Sequence, residues 1–306
     1  MPHRGRAVGK RRTWPRIIAF TLSLSLAAAG TWGATGCRPS TALPDEPQKL
    51  AKRERTLLHR AHQLLIRDCM ERQGFTTWPV PADPVIADRD FPYVIDDVAW
   101  ASEHGYGSDL HARIARLRED SRNQRYLDEL SPRRREAALT ALNGTPTSPI
   151  TVTLPNGMTL SRNDNGCDAD AQARLYGDLA TWSRATAVSD NLTDLRRTRV
   201  RDADAFKEAV RAWARCMRRH GHDYATPWQS RAEFLAPDAE HSREVEIGVA
   251  VTEARCAASS GLTETIHQLD RKQAARLREE YGSAVTTKLR LQRAALPRAR
   301  SIVAAG

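Results

Sequence analysis

The chain has 306 residues, of which 27% are charged and 41% hydrophobic, a composition typical of a globular protein with one or two domains. Its formal net charge is +10, but six of its 47 basic groups lie in residues 1–36, which contain no acid. The rest of the chain has 41 basic and 37 acidic groups, so its net charge is +4. Because nucleic-acid binding needs a clustered basic face, this diffuse excess argues against a nucleic-acid partner.

The first 36 residues have the three parts of an export signal. Residues 1–16 are basic and polar, and residues 17–37 carry no charge and include an apolar core from Ile17 to Ala29. Small residues then lead to Cys37. This order predicts a signal peptide over residues 1–36. The segment Ala34-Thr35-Gly36-Cys37 resembles a bacterial lipobox, with Ala34 where leucine is usual, so Cys37 is the predicted lipid-attachment site.

Residues 37–54 follow as a predicted flexible tether, because Pro39, Pro44 and Pro47 occur there among Ser and Thr. We therefore expect an extracytoplasmic protein anchored to the outer face of the cytoplasmic membrane through its N-terminal lipid. A plain cleaved signal and an uncleaved anchor helix are the alternatives. The pair Arg11-Arg12 gives twin-arginine export as a further alternative.

A short cysteine motif occurs twice in the remaining chain. The pattern C-M-x-R-x-G covers Cys69 to Gly74 and again Cys216 to Gly221, each time at the end of an amphipathic, helix-like run. Each copy is followed by one further cysteine at the start of, or inside, another helix-like run. We interpret these as two helical units, residues 55–190 with a β-hairpin and residues 191–306.

The cysteine count favours disulfide bonds over metal binding. Without Cys37, four of the five cysteines remain, and in an exported chain an even number is expected to pair. No C-x-x-C spacing is present, so no metal site is predicted. The favoured pairs, one within each unit, are Cys69–Cys167 and Cys216–Cys256. The alternative joins the two copies through Cys69–Cys216 and Cys167–Cys256.

Hydrophobic periodicity predicts a mainly α fold with one small β-hairpin and disulfide staples. The hairpin is predicted from the alternating Ile150–Leu154, the turn residues Pro155-Asn156-Gly157 and the return at Met158–Leu160. Helices are predicted wherever apolar residues repeat every three or four positions. They cover Leu50 to Arg72, Asp109 to Leu117, Ser131-Pro132 to Asn143, Ala169 to Ala187, Thr193 to Arg219, Pro237 to Cys256, and the segment from Leu262 until Pro297 breaks it.

Two histidine pairs and one loop could suggest a cation site. His59 and His62 have no carboxylate or third histidine in register, so we interpret them as exposed helix residues. His220 and His222 flank Gly221 with no further ligand nearby in sequence. The segment from Asn163 to Asp168 faintly resembles a calcium loop. An EF-hand register places Ser161 and Gln172 where acids are needed, so a turn followed by a helix cap is the interpretation.

The stretch from Phe91 to Gly107 combines aromatic residues, glycines and charged groups. We favour an irregular loop whose aromatic side chains pack against a small core. The alternative is a ligand-facing acid–base cluster, since carboxylates beside a histidine can transfer protons. Its members are Asp96, Asp97, Glu103 and His104.

Four pieces of the sequence follow one another in a specific order. They are Ile66-Arg67-Asp68-Cys69-Met70 through Gly74, the stretch from Ala101 to Gly107 that ends in Glu-His-Gly-Tyr-Gly, the helix end Leu142-Asn143-Gly144, and Gly166-Cys167-Asp168 through Leu175-Tyr176-Gly177-Asp178. In this order they resemble a group of actinobacterial secreted or lipid-anchored proteins of unknown function. The resemblance spans roughly residues 55–260 and implies an exported, disulfide-bonded helical domain, but no activity.

The sequence contains no G-x-S-x-G elbow, H-E-x-x-H motif or P-loop. We therefore predict a membrane-tethered, non-enzymatic binding or structural module of the cell envelope, with no catalytic residue and no cofactor. Its expected partner, besides the membrane, is an unknown envelope protein or wall ligand. An extracytoplasmic enzyme that uses the acid–base cluster of residues 96–104 is the alternative.

Overall fold

Eleven α-helices and one two-stranded antiparallel sheet build the part of the chain that the structure, a computed structural model, describes: residues 49–82, 89–236 and 238–306. The predicted mainly α fold with a small hairpin is confirmed. The predicted signal peptide, Cys37 and most of the predicted tether lie outside the described residues. The helices are α1 Lys52–Arg72, α2 Val98–His104, α3 Ser108–Glu119, α4 Arg122–Glu129, α5 Pro132–Asn143, α6 Cys167–Tyr176, α7 Leu179–Asp202, α8 Asp204–Arg219, α9 Pro227–Leu235, α10 Arg243–Ser259 and α11 Leu262–Ala305.

Helix α1 forms where the sequence predicts it. Leu58, Ala61 and Leu65 recur on one face and are buried, so burial of this stripe stabilises the helix. The chain leaves the helix at Gln73, and Gly74 follows with φ 78°, a left-handed conformation that favours glycine.

The predicted hairpin is also confirmed. Strand β1, Ile150–Thr153, pairs with β2, Thr159–Arg162, and Val152 lies opposite Leu160. Val152 is the one residue of the two strands that is buried, since β2 has no buried residue. The sheet is therefore a surface appendage that contacts α7 through β1.

The predicted helix boundaries between residues 169 and 219 are wrong. The run from Ala169 to Ala187 is broken at Gly177, which has φ 90°, and Asp178 caps the following α7 by accepting from Thr181 N at 2.8 Å. Helix α7 continues through the predicted gap at 188–192 and stops at Ala203, whose backbone is extended. Capping chemistry and one extended residue set these ends, and neither interrupts the apolar periodicity on which the prediction rests.

Three short helices are absent from the prediction. Residues 98–104 form α2 and not the expected irregular loop, and α4 and α9 occupy stretches for which no helix is predicted. Each has seven to nine residues, too few turns for a periodic pattern to emerge. Helix α10 begins at Arg243, after the Ser242 cap, and not at the predicted Pro237.

Pro297 does not break the last helix, contrary to the prediction. Helix α11 runs through it, and proline inside a helix removes one backbone hydrogen bond and costs about 3 kcal/mol. Leu296 and Ala299 on either side are buried. We attribute the continuity to this packing, which holds both flanking turns against the body of the protein.

The described residues belong to one compact unit, and most of their buried apolar side chains fall into three clusters. One cluster joins segment 91–106 to α8, α10 and the start of α11, and another joins α1, α6 and the end of α11. A third, smaller cluster surrounds Cys69 and Cys167. Helices α7 and α11 pack along each other, and α11 also contacts α1, α6, α8 and α10. The division into two units near residue 190 falls within α7 and stays a prediction.

Both favoured disulfides are present, which excludes the alternative pairing. Cys69 is bonded to Cys167, and Cys216 to Cys256, each with a Cα–Cα distance of 5.6 Å. The first bond joins the end of α1 to the start of α6, and the second joins the last turns of α8 and α10. No helix among the described residues has the length and apolar character needed to cross a bilayer.

Candidate functional site

Asp97, a member of the predicted acid–base cluster, is the N-cap of α2. Its Oδ1 accepts from Trp100 N at 2.9 Å, and its Oδ2 lies 2.5 Å from Arg89 Nη1. The backbone hydrogen bond from Trp100, followed by the bond from Arg89, lowers the pKa of the Asp97 carboxyl. An ionised carboxylate at a helix start is a stabilising cap.

His104 and Glu103 lie at the other end of α2. His104 is buried, with Nδ1 3.0 Å from Asp109 Oδ2 and Nε2 3.6 Å from Glu103 Oε1. Arg243 of α10 donates to the backbone oxygens of Glu103 at 2.7 Å and His104 at 3.0 Å. These contacts attach the end of α2 to α10.

Asp96 faces a different neighbour, His267 of α11, at 3.8 Å. Among the described residues, no hydrogen bond or ion pair joins Asp96 or Asp97 to His104. The four predicted side chains therefore cap a helix, brace its end or face α11, and they do not form one acid–base centre.

Two glutamates of α10, which are not among the predicted site residues, hold the glycine-rich segment after α2. Glu246 accepts from Tyr106 N at 2.8 Å and from the hydroxyl of Ser108, and it is 3.3 Å from Arg243. At Gly105, which has φ 58°, a Cβ would lie 2.7 Å from Glu246 Oε1. The Glu-His-Gly-Tyr-Gly motif is thus a docking segment for α10, and its first glycine allows the close approach.

Glu253, about two helical turns after Glu246, is completely buried. Its Oε1 accepts from Ile95 N at 3.0 Å, and its Oε2 accepts from Tyr106 Oη and Ser230 Oγ, each at 2.7 Å. Burial raises the pKa of the Glu253 carboxyl, and the three donors offset part of this effect. Glu253 therefore joins segment 95–106, α9 and α10 at one buried point.

A sequence signal for these glutamates exists. Glu246 and Glu253 are seven residues apart, on the same helix face as Val249, Ala250 and Ala254. A carboxyl group within an apolar helix face indicates a buried polar contact, because an unpaired one would be costly. The sequence does not reveal what it contacts, since its partners lie up to 158 positions away.

The best candidate for a ligand site is a surface cleft of about 510 Å³ between segment 89–96 and α11. Tyr93 Oη donates to Asp270 Oδ1 at 3.0 Å, and Arg196 Nε lies 3.2 Å from the same oxygen. Asp96 and His267 lie on the same cleft, and its apolar lining comes from Phe91, Val94 and Ile266. Burial, followed by the bond to Asp270, raises the pKa of Tyr93, which stays a neutral donor.

The cleft combines carboxylates, guanidinium groups, a phenol and an imidazole within one opening. Convergent polar groups over an apolar floor are the usual arrangement of a small-ligand site. Segment 89–96 and helices α7 and α11 position these groups, so the site depends on residues about 177 positions apart. Of the predicted site residues, only Asp96 belongs to it.

The histidines and the calcium-like loop have structural partners. His59 and His62 are half-buried and not exposed as predicted, with His59 Nε2 2.7 Å from Val80 O and His62 Nε2 3.2 Å from Asp168 Oδ1. Burial alone would raise the pKa of Asp168, but His62, Arg162 and a further hydrogen bond lower it overall. Asp168 therefore ties α1 to α6 beside the first disulfide.

One group of potential metal ligands, Cys216, His220 and Cys256, has its ligand atoms within 4.8 Å of one another in the described part of the chain. The two sulfurs are joined in a disulfide and offer no thiolate, so this group is not a metal site. No family model, curated protein or solved structure matches the chain. The resemblance to actinobacterial secreted or lipid-anchored proteins stays a prediction.

Proposed function

We propose that this chain is an exported, membrane-tethered binding or structural module of the cell envelope, without catalytic activity. The observation that carries the proposal is the pair of disulfides. The four bonded cysteines are buried in apolar clusters, and each bond links two separate helices. Such bonds persist in oxidising compartments outside the cytoplasm.

The sequence supports the same location independently. The basic start, the apolar core and the lipobox-like Ala34-Thr35-Gly36-Cys37 are the parts of a lipoprotein signal, and the other four cysteines of the chain pair with one another. A lipid on Cys37 would hold the helical domain at the outer face of the cytoplasmic membrane through the short tether.

The placement of the predicted catalytic candidates supports a non-enzymatic module. Asp97 caps α2, and His104 is braced by Asp109 and Arg243. A binding role is supported by the cleft between segment 89–96 and α11, where polar side chains converge over an apolar floor.

The location is tested by intact mass of the chain from the membrane fraction, with and without reductant. We expect a diacylated mature chain that begins at Cys37 and gains the mass of four hydrogens on reduction. A Cys37→Ser variant should lack the acyl mass but keep both disulfides. An unmodified cytosolic chain with free thiols would disprove the location.

The cleft is tested by native mass spectrometry of the purified chain after exposure to a small-molecule extract of the cell envelope. We expect a bound adduct that is lost in the double variant His267→Ala, Asp270→Asn. The matched control, Glu279→Gln, changes an exposed carboxylate of the same helix that does not line the cleft, and it should keep the adduct. An adduct that survives in the double variant would place the ligand elsewhere.

A further inference from the structure

Helix α8 carries a continuous row of basic side chains on its outer surface. Lys207, Arg211, Arg215 and Arg219 follow one another at intervals of four residues, and all are exposed. Residues four apart lie on the same face of an α-helix, so the four side chains form one ridge. We call these four residues the α8 basic ridge.

The opposite face fixes the direction in which the ridge points. Phe206, Val210, Trp213 and Met217 of α8 are buried in the large cluster with segment 91–106 and α10. The Cys216–Cys256 disulfide also attaches the last turn of α8 to α10. Rotation of the helix would expose the apolar face, so the ridge is held toward solvent.

In the part of the chain that the structure describes, the arginines of the ridge have no carboxylate partner. Within the described residues, Arg211, Arg215 and Arg219 have no ion pair, whereas two arginines of the neighbouring α7 are paired with acids of α11. The only acids of α8, Asp204 and Glu208, lie in its first two turns, and no acid occurs from residue 209 to residue 222. Lys207 is 3.8 Å from Asp204, an exposed and weak pair.

Two further arginines near the ridge are also exposed. Arg218 is exposed and has one distant partner, Asp223, at 3.7 Å. Arg255 of α10 is exposed and directly precedes Cys256, whose Cα is 5.6 Å from that of Cys216. Because Arg215 directly precedes Cys216 and consecutive Cα atoms are about 3.8 Å apart, the Cα atoms of Arg255 and Arg215 lie within about 13 Å of each other.

Such a ridge is unfavourable in the isolated protein. Like charges four residues apart repel each other on a helix surface, and the ridge contains three successive pairs of this kind. The C-terminal helix dipole compensates for Arg218 and Arg219 but not for Arg211 or Lys207, since it acts only within the last turn. An anionic partner would remove the repulsion.

We propose that the α8 basic ridge binds the phosphate headgroups of an anionic membrane surface. This inference rests on the proposed membrane tether, because a tether from Cys37 to Lys49 reaches at most about 40 Å and keeps the domain beside the bilayer. Each basic side chain near an anionic surface strengthens binding about fivefold, so three arginines contribute roughly 100-fold. Salt weakens the attraction by screening.

The test uses the full chain reconstituted in vesicles of pure phosphatidylcholine or of phosphatidylcholine mixed with phosphatidylglycerol. Arginine exposure is read by an arginine-specific dicarbonyl reagent and mass spectrometry. On the mixed vesicles, we expect the reagent to modify Arg218, Arg255 and the three ridge arginines at least about fivefold more slowly than on pure phosphatidylcholine. This factor follows from the attraction of one basic side chain to an anionic surface. The protection should vanish at about 1 M salt, where the Debye length is about 3 Å.

A matched pair of variants separates the ridge from general positive charge. The variant R211Q/R215Q/R219Q should lose the protection of Arg218 and Arg255. The control R113Q/R116Q/R118Q removes three exposed arginines from α3, with the same change in net charge, and should keep it. Circular dichroism and the two disulfides report that each variant is folded.

The outcomes distinguish this inference from the proposed tether. Flotation with pure phosphatidylcholine measures the N-terminal anchor alone, so loss of flotation there overturns the tether whatever the arginines show. A chain that floats but shows no protection at α8, or equal protection at α3, overturns the ridge. Protection by soluble polyphosphate but not by anionic vesicles would identify a polyanion in place of a membrane and also overturn the proposal.

Discussion

Glu253 shows how one side chain of α10 connects three segments of the fold. Its carboxyl group is fully buried and accepts from a backbone amide, a phenol and a hydroxyl. Ser230 Oγ also lies 3.1 Å from Pro227 O. A protonated Glu253 could therefore donate to Ser230 while Ser230 donates to Pro227, so the neutral acid is also accommodated.

We predict that Glu253 makes the stability of the domain depend on pH. Burial raises its folded pKa above the ordinary value of 4.5, so the stabilisation is complete below 4.5 and is lost as pH rises through the folded pKa. The Glu253→Gln variant, which cannot ionise, should lack this loss. The measurement is the free energy of unfolding by urea at several pH values.

The control is Glu264→Gln, which changes a largely exposed carboxylate in the first turn of α11. It should follow the wild-type pH profile. Parallel profiles for the wild type and Glu253→Gln would show that the carboxyl of Glu253 is not responsible.

Asp97 permits a second prediction at the residue scale. Replacement of an N-cap aspartate by alanine costs about 1 kcal/mol, because a backbone N–H in the first turn loses its acceptor. We expect Asp97→Ala to lower the free energy of unfolding by this amount and Asp97→Ser, also a capping residue, to recover most of it. The measurement is urea unfolding, and equal losses in both variants would assign the effect to the Arg89 ion pair.

At the scale of elements, helices α5 and α6 meet through two glycines. A Cβ at Gly166 would lie 2.3 Å from Gly144 N, and both glycines have positive φ. The Asn165 side chain bridges the same junction, accepting from Thr145 N at 2.7 Å and donating to Thr145 O at 2.8 Å. The segment that resembles a calcium loop is therefore a packing junction beside the Cys69–Cys167 bond.

We predict that Gly166→Ala lowers the free energy of unfolding by about 2–5 kcal/mol, because it adds a backbone clash to a strained left-handed residue. Gly157→Ala is the matched control, with φ 83° and no atom within 4 Å of its Cβ. It should cost about 1 kcal/mol for the backbone conformation alone. Urea unfolding measures both, and similar costs would contradict the role of close packing at Gly166.

The sequence predicts those elements that repeat over several turns or form an alternating strand. Helix α1 and the hairpin follow their predicted positions closely. The short helices α2, α4 and α9 escape prediction, because seven to nine residues do not show a clear period. Helix α11 continues past Pro297, since tertiary burial of Leu296 and Ala299 outweighs the local preference of proline.

On the whole-molecule scale, two long helices connect the two large apolar clusters. Helix α7 supplies Trp182 to one cluster and Val200 to the other, and α11 supplies Leu296 and Ile266 to the same two. Between these ends, the two helices are also joined by ion pairs of Arg199 with Glu280 and of Asp190 with Lys288. Each disulfide then fixes helices at a different cluster.

We predict that the two disulfides stabilise the protein independently. The bonds span 98 and 40 residues. On the chain-entropy model, each bond raises the free energy of the unfolded chain by about 4–5 kcal/mol. The pairs Cys69→Ser, Cys167→Ser and Cys216→Ser, Cys256→Ser should each lower the free energy of unfolding by a comparable amount. Because the loops do not overlap and the bonds lie in different clusters, the losses should add in the quadruple variant. Urea unfolding of the three variants checks this, and a quadruple loss far from the sum would show that the bonds act together.

The sequence alone determined the helical class and the hairpin, favoured the cysteine pairing that the structure contains, and predicts the export signal. These properties depend on neighbouring residues, on periodicity and on the chemistry of cysteine, which are all visible along the chain. Only the tertiary structure decided that Glu253 is buried, that Tyr93, Arg196 and Asp270 share a cleft, and that the arginines of the α8 basic ridge lack acidic partners among the described residues. Each of these depends on contacts between residues far apart in sequence, which packing brings together and local patterns do not encode.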